Sequence, residues 1–149
     1  MAVLNNEIYE SFLEINKAIK RLIKLDADQL GITTVQLKAI YKLASNPDIS
    51  LGELAEKLRM TNSTASSLIE RLVQIGLVER VIPPENRRVV SIHLTDKGKK
   101  ILNQFQSSDS IFIKKMNDVL ELPEKELSEL LRLQKLVLKK LTIEEESGK

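Results

Sequence analysis

A chain of 149 residues with 42% apolar and 30% charged side chains holds material for one compact core and little room for a second. Its formal net charge of +2 excludes attraction of nucleic acid by bulk charge alone, so binding of that kind has to come from local clustering. The absence of cysteine excludes a disulfide framework, a thiolate metal site and a thiol redox switch, and it fits a reducing compartment.

The charge is not evenly spread. Residues 51–100 carry 9 basic and 6 acidic side chains, against 6 and 6 before them and 8 and 9 after them. The N-terminus, MAVLNNEIYESFLEINKAIKRL, lacks the basic and apolar blocks of a secretion signal, and no 18-residue apolar run occurs. A cytoplasmic protein with no membrane span is the expectation.

Apolar residues Ile8, Phe12, Ile15, Ile19, Leu22 and Ile23 recur at spacings of mostly three and four, which predicts a long amphipathic helix reaching Leu30, with Gly31 as its stop. Thr33 and Gln36 have capping-box spacing and open a second helix. Its inward face is expected to run through Val35, Leu37, Ile40, Tyr41, Leu43 and Ala44 to the turn at Asn46 and Pro47. Ser50 and Glu53 repeat the capping-box spacing, and Leu51, Leu54, Ala55 and Leu58 define a two-turn helix ending near Arg59. Thr61 or Asn62 caps the next helix, where Ala65, Leu68, Ile69 and Leu72 face inward, and Gly76 closes it.

Residues 77–82 and 89–94 read as two strands, the second patterned by Val89, Val90, Ile92 and Leu94, joined by the loop PPENRR. Thr95 caps a helix predicted from Asp96 to about Leu120, bent at Ser107 and Ser108. Pro123 is placed in the first turn of a last helix, whose leucines occupy more than one face and so need more than one partner.

Two short helices joined by a tight turn let the first brace the second, so that the second lays its N-terminal residues against base edges in the major groove. Direct readout would then rest on Asn62, Ser63, Thr64, Ser66 and Ser67, because Asn bonds adenine in a bidentate way and hydroxyls serve donors or acceptors. On an isolated helix a hydroxyl-rich face is better explained as a polar solvent face, and it is the context that reverses this. Here a solvated face would more usually carry Lys and Glu, and short uncharged groups can approach bases without burying charge. Arg71 suits a phosphate contact or an ion pair better than base reading.

Arg87 and Arg88 lie at or beside the ribbon tip, where a guanidinium can enter a narrow minor groove, although hairpin tips also carry charge for solubility. His93, the only histidine, reads as a half-exposed strand residue with no metal set around it. There is no Ser-His-Asp order, Gly-rich phosphate loop or HExxH spacing, so neither an enzyme nor a cofactor is expected.

The stretch LGELAEKLRMTNSTASSLIERLVQIGLVERVIPPENRRVVSIHLTDKGKKIL resembles the winged helix-turn-helix core of the multiple antibiotic resistance regulator (MarR) family, most specifically in IERLVQIGLVER and RRVVSIHLTDKGKKIL. The resemblance implies a mainly α fold with a small β-wing, in one domain over residues 1–149. The winged helix-turn-helix core would occupy residues 33–94, with residues 1–30 and 95–143 as dimerisation helices. It also implies a homodimeric transcriptional regulator, often a repressor released by a small-molecule effector, acting on a pseudo-palindromic double-stranded DNA operator.

Carried over by position, the family's recognition contacts fall on Thr61, Asn62, Ser63, Thr64, Ser66 and Ser67, its helix-end arginine on Arg71 and its wing arginine on Arg88. Two positions depart from the pattern. Asn86 stands where an acidic residue commonly orients the wing arginine, and Ser67 where the family often has arginine. Lack of cysteine excludes the peroxide-sensing thiol mechanism of one branch, and a single histidine argues against the zinc-sensing one. A phenolic or other lipophilic effector between the DNA-reading and dimer regions is compatible with the family, but no residue pattern identifies it. The competing reading keeps the winged-helix shape as a protein-binding adaptor that does not touch DNA.

Overall fold

The computed structural model describes residues 2–82, 84–85 and 90–143, and divides into two compact units, Met1–Ile113 and Lys114–Lys149. The chain runs α1 (Ala2–Leu30), α2 (Thr34–Ser45), α3 (Leu51–Lys57), α4 (Asn62–Gln74), β1 (Val78–Val81), β2 (Ser91–Leu94), α5 (Asp96–Phe105), α6 (Ile111–Val119) and α7 (Glu124–Leu141).

The local signals act as their chemistry predicts in most places. Gly31 takes φ +75 and Gly76 φ +82, the left-handed conformation that ends α1 and α4 without a Cβ penalty. Thr33 and Gln36 form a full capping box: Thr33 Oγ1 accepts from the Gln36 amide at 3.1 Å, and Gln36 Oε1 accepts from the Thr33 amide at 3.0 Å. At α3 only half of the box forms. Ser50 Oγ accepts from the Glu53 amide, but its proton goes to Glu53 Oε1 at 3.0 Å. Either Thr61 or Asn62 could have capped α4, and the structure selects Thr61.

The core lies in the first unit, where Leu37 and Ile40 of α2, Leu54 of α3, Ile69 and Leu72 of α4, and Leu77 and Val78 at β1 are fully buried. Ile92 and Leu94 of β2 and Leu102 of α5 complete it, and α1 packs on α2 and α5. The inward stripe of α2 is narrower than its sequence suggests. Leu37, Ala39, Ile40 and Leu43 are buried, whereas Val35, Tyr41 and Ala44 are exposed. The strands form an antiparallel ribbon in which Val78 faces Leu94, Glu79 faces His93, Arg80 faces Ile92 and Val81 faces Ser91. Each is shorter than the expected run. Val90 precedes β2, and Val89 lies outside the described residues.

The helix expected from Asp96 to Leu120 is two helices. Ser107 turns the chain by donating to the Gln104 carbonyl at 2.7 Å and accepting from the Asp109 amide at 3.2 Å. A new helix then starts because Asp26 of α1 supplies acceptors for its first amides, Ile111 at 2.8 Å and Phe112 at 2.9 Å. The rings of Phe105 and Phe112 stack across this break, 6.1 Å apart and 7° from parallel.

In the second unit, Pro123 stands immediately before α7 rather than in its first turn. Arg132 hydrogen-bonds Glu129 on its exposed face and holds that carboxyl below the usual carboxylate range. No described helix is long and apolar enough to cross a membrane.

Candidate nucleic-acid interface

α3 and α4 are joined by a turn of backbone geometry rather than of side chains. Arg59 adopts φ +55, its amide donates to the Glu56 carbonyl at 3.1 Å, and the Met60 amide reaches back to the Ala55 carbonyl at 2.9 Å. These bonds stop α3 in the manner of a helix-end motif that normally carries glycine. Placing arginine there stores about 1–2 kcal/mol of local strain.

Beyond the turn, α4 buries Ala65, Ile69 and Leu72 against α3 and the rest of the core. The opposite surface exposes Asn62, Ser63, Thr64 and Ser67, with Ser66 half-buried. Thr61 is also exposed, but its hydroxyl is committed: it accepts from the Thr64 amide at 3.1 Å and donates to Thr64 Oγ1 at 2.9 Å. The Thr64 hydroxyl therefore keeps its own proton for an outside acceptor. The helix thus presents an amide and three hydroxyls on neighbouring turns, with Thr61 holding the first turn in shape.

Arg71 lies exposed in the last turn of α4, with Nη1 3.5 Å from Gln74 Oε1, and among the described residues it pairs with no carboxylate. Glu70, the preceding residue, is also exposed. The wing arginines Arg87 and Arg88, and Asn86 before them, lie outside the described residues. The ribbon that carries them starts directly from the end of α4, since Gly76 and Leu77 alone separate Ile75 from Val78. His93 sits half-exposed in β2, with Nε2 3.6 Å from Asp48 Oδ1 and Glu79 opposite it in the ribbon.

One group near this surface escaped sequence reasoning. Thr95 was legible as the cap of α5, but the same hydroxyl also donates to the Gly76 carbonyl at 2.6 Å, and Lys97 Nζ donates to the Ile75 carbonyl at 3.1 Å. Only the threonine-to-glycine spacing of TDKG hinted at a close approach.

The model of the MarR family matches residues 32–90, from just before α2 to just before β2. YsmB of Bacillus subtilis, an uncharacterized HTH-type transcriptional regulator, is 33% identical over 110 residues, which cover 74% of this chain and 75% of YsmB. A MarR family protein from Bacillus stearothermophilus superposes with a TM-score of 0.80 at 24% identity, over 96% of this chain and 99% of that one, and so shares the fold. A mutant of S. aureus MepR bound to an oligodeoxyribonucleotide aligns with a TM-score of 0.62 at 25% identity, over 91% of this chain and 98% of that one. With a helix-turn-helix and the first strand of the ribbon inside the matched segment, and a relative this similar over three quarters of its length, the chain belongs to the MarR family of transcriptional regulators.

Proposed function

We propose that the protein is a homodimeric repressor that reads a pseudo-palindromic double-stranded operator, with α4 in the major groove and Arg87 and Arg88 at the adjacent minor groove. The observation that carries this reading is the outward face of α4. Asn62, Ser63, Thr64 and Ser67 are exposed together on a helix whose other face is fixed in the core. Short uncharged groups of this kind can meet base edges without desolvating an unpaired charge. Arg71 supplies a phosphate contact at the far end. A protein that acts on chromosomal DNA in this way works in the cytoplasm.

Sparse charge makes duplication necessary. α1 exposes Ile8, Tyr9, Phe12 and Ile15, and α7 exposes Leu131, Leu136, Leu138 and Leu141. Apolar rows of that extent are uncommon on a monomer and support burial against a second copy. A two-fold dimer places its reading helices on half-sites about 34 Å apart.

The effector part of the proposal rests on a cavity of about 600 Å³ within the first unit. Ile23, Leu37, Leu58, Phe105 and Phe112 wall it with apolar surface, and Lys38, Lys42, Lys57 and Arg59 line the same space. The volume suits a small ligand, and the lining suits a lipophilic body bearing an acid group. Arg59 is two residues from the cap of α4, so an anion held there acts on the turn that aims the helix.

The test is selection of bound fragments from the host genome, followed by affinity measurements on the enriched sequence across a range of salt. A steep fall of affinity with salt is expected, because phosphate contacts release counterions. Failure to bind any duplex at low salt would reject the repressor and favour the adaptor.

A further inference from the structure

α5 begins where β2 ends, and its first turn grips the segment that leaves α4. Thr95 Oγ1 accepts from the Gly98 amide at 3.1 Å and sends its proton to the Gly76 carbonyl at 2.6 Å. The Thr95 amide donates to the Leu77 carbonyl at 3.1 Å, and Lys97 Nζ donates to the Ile75 carbonyl at 3.1 Å. Three successive carbonyls, those of Ile75, Gly76 and Leu77, are therefore held from one turn of α5. Gly98 permits the approach, since a Cβ there would stand 2.2 Å from the Leu77 carbonyl oxygen. The Lys97 ammonium also meets the negative end of the α4 dipole.

We propose that Thr95 and Lys97 are positioning residues for DNA reading: they fasten the exit of α4 to α5 and so set the angle at which Asn62, Ser63, Thr64 and Ser67 face the bases. The inference rests on α4 being the DNA-reading helix. Ile69 and Leu72 keep α4 in the core, and the hydrogen bonds from α5 add a directional restraint that apolar packing lacks. The lever is long. α4 has 13 residues and spans about 20 Å, so a tilt of about 5° at its clamped end swings its first turn by about 1.7 Å. Base-edge hydrogen bonds need placement within about 0.5 Å, whereas attraction to phosphates tolerates such a shift. Loosening the clamp therefore removes specific binding and spares non-specific binding. A general loss of stability would reduce both together.

The experiment compares the full-length protein with Thr95→Val, Thr95→Ser and Lys97→Met. It measures affinity for the selected operator and for an unrelated duplex at one salt concentration, below the melting temperature of each variant. Amide hydrogen exchange at Gly76 and Leu77 is followed in the DNA-free protein. Thr95→Val is expected to weaken operator binding about tenfold while changing the unrelated duplex by less than about twofold. Thr95→Ser should stay within about twofold of the parent on both, and Lys97→Met should fall between the two. Exchange at Gly76 and Leu77 should quicken in Thr95→Val and not in Thr95→Ser. A parallel loss on both duplexes, or an undiminished operator affinity in Thr95→Val, overturns the proposal. If the parent binds no duplex, the DNA reading itself fails. Unchanged exchange in Thr95→Val separately overturns the clamp, and Lys97→Met, altered only at an exposed side chain, keeps the test open should Thr95→Val not fold.

Discussion

Ser110 donates its hydroxyl proton to Asp26 Oδ2 at 2.7 Å, joining residues 84 positions apart in the sequence. Both side chains are buried, and the same carboxylate also receives the amides of Ile111 and Phe112. A buried carboxyl group is tolerable in that position because three donors surround it, and the first turn of α6 is tolerable because the same group satisfies its amides. Asp26→Ala leaves all three donors without this acceptor and should cost about 3–5 kcal/mol, while Asp26→Asn keeps an oxygen there and should cost about 1–3 kcal/mol. Urea unfolding at neutral pH measures both. A loss below about 1 kcal/mol for the alanine variant would mean that α6 starts for another reason.

That pairing also marks the boundary of what sequence could reveal. Capping spacings at Thr33 and Thr95, stops at Gly31 and Gly76, and the stripe of α4 are local, and each was readable because its cause lies within four residues. A bend at Ser107 and Ser108 was readable from the local serines, but a full break into two helices was not, because Asp26, which satisfies the first amides of the following helix, lies on α1. The surplus of inward residues assigned to α2 has a similar origin. Val35, Tyr41 and Ala44 are apolar at acceptable spacing, yet the neighbours of α2 cover only one side of it. At the candidate interface the residue types were legible, but not the division of labour in which Thr61 shapes the turn and Thr64 keeps a free proton.

Gly98 and Gly52 make a matched pair. A methyl at Gly98 would collide with a backbone oxygen, which cannot yield without moving β1 or α5. At Gly52, within α3, a methyl meets nothing within 4 Å. Gly98→Ala should therefore destabilise by about 2–3 kcal/mol or more through forced displacement, while Gly52→Ala should stabilise by up to about 1 kcal/mol through helix propensity. Thermal melts of the two variants should move in opposite directions.

Arg59 presents a trade between stability and ligand response. Its left-handed backbone favours glycine, so Arg59→Gly should raise stability by about 0.5–1 kcal/mol despite the added freedom of the unfolded chain. The same change removes a guanidinium from the cavity lining. Affinity for a series of aromatic and alkyl carboxylates, measured by calorimetry, should fall, while affinity for the matching uncharged amides should hold. Equal losses for acids and amides would show that Arg59 shapes the cavity without selecting charge.

The dimer reading predicts a sharp response to charge on α7. Leu138 is 65% exposed and Leu141 69%, so an acid at Leu138 costs an isolated protomer little. In a two-fold interface each substitution occurs twice on the same patch, and burying both charges is expensive. Leu138→Glu should convert the protein to a folded monomer in sedimentation experiments, with operator affinity reduced by about a hundredfold or more as one half-site is lost. An unchanged dimer would place the interface elsewhere.

Ser67 tests whether the short-armed face of α4 limits affinity. The side chain is exposed on the same surface as Asn62 and Ser63, at a position where the family resemblance implies arginine. Ser67→Arg adds one cation per protomer and two per dimer, close to the phosphates that flank the groove. If both engage phosphate, the slope of log affinity against log salt should steepen by about 1.8, and binding at low salt should tighten for operator and unrelated duplex alike. If the guanidinium instead bonds a guanine edge, the slope should change little and the preferred base at one operator position should shift. An unaltered slope together with an unaltered base preference would mean that residue 67 faces away from DNA, and that α4 enters the groove by a different edge from the one proposed.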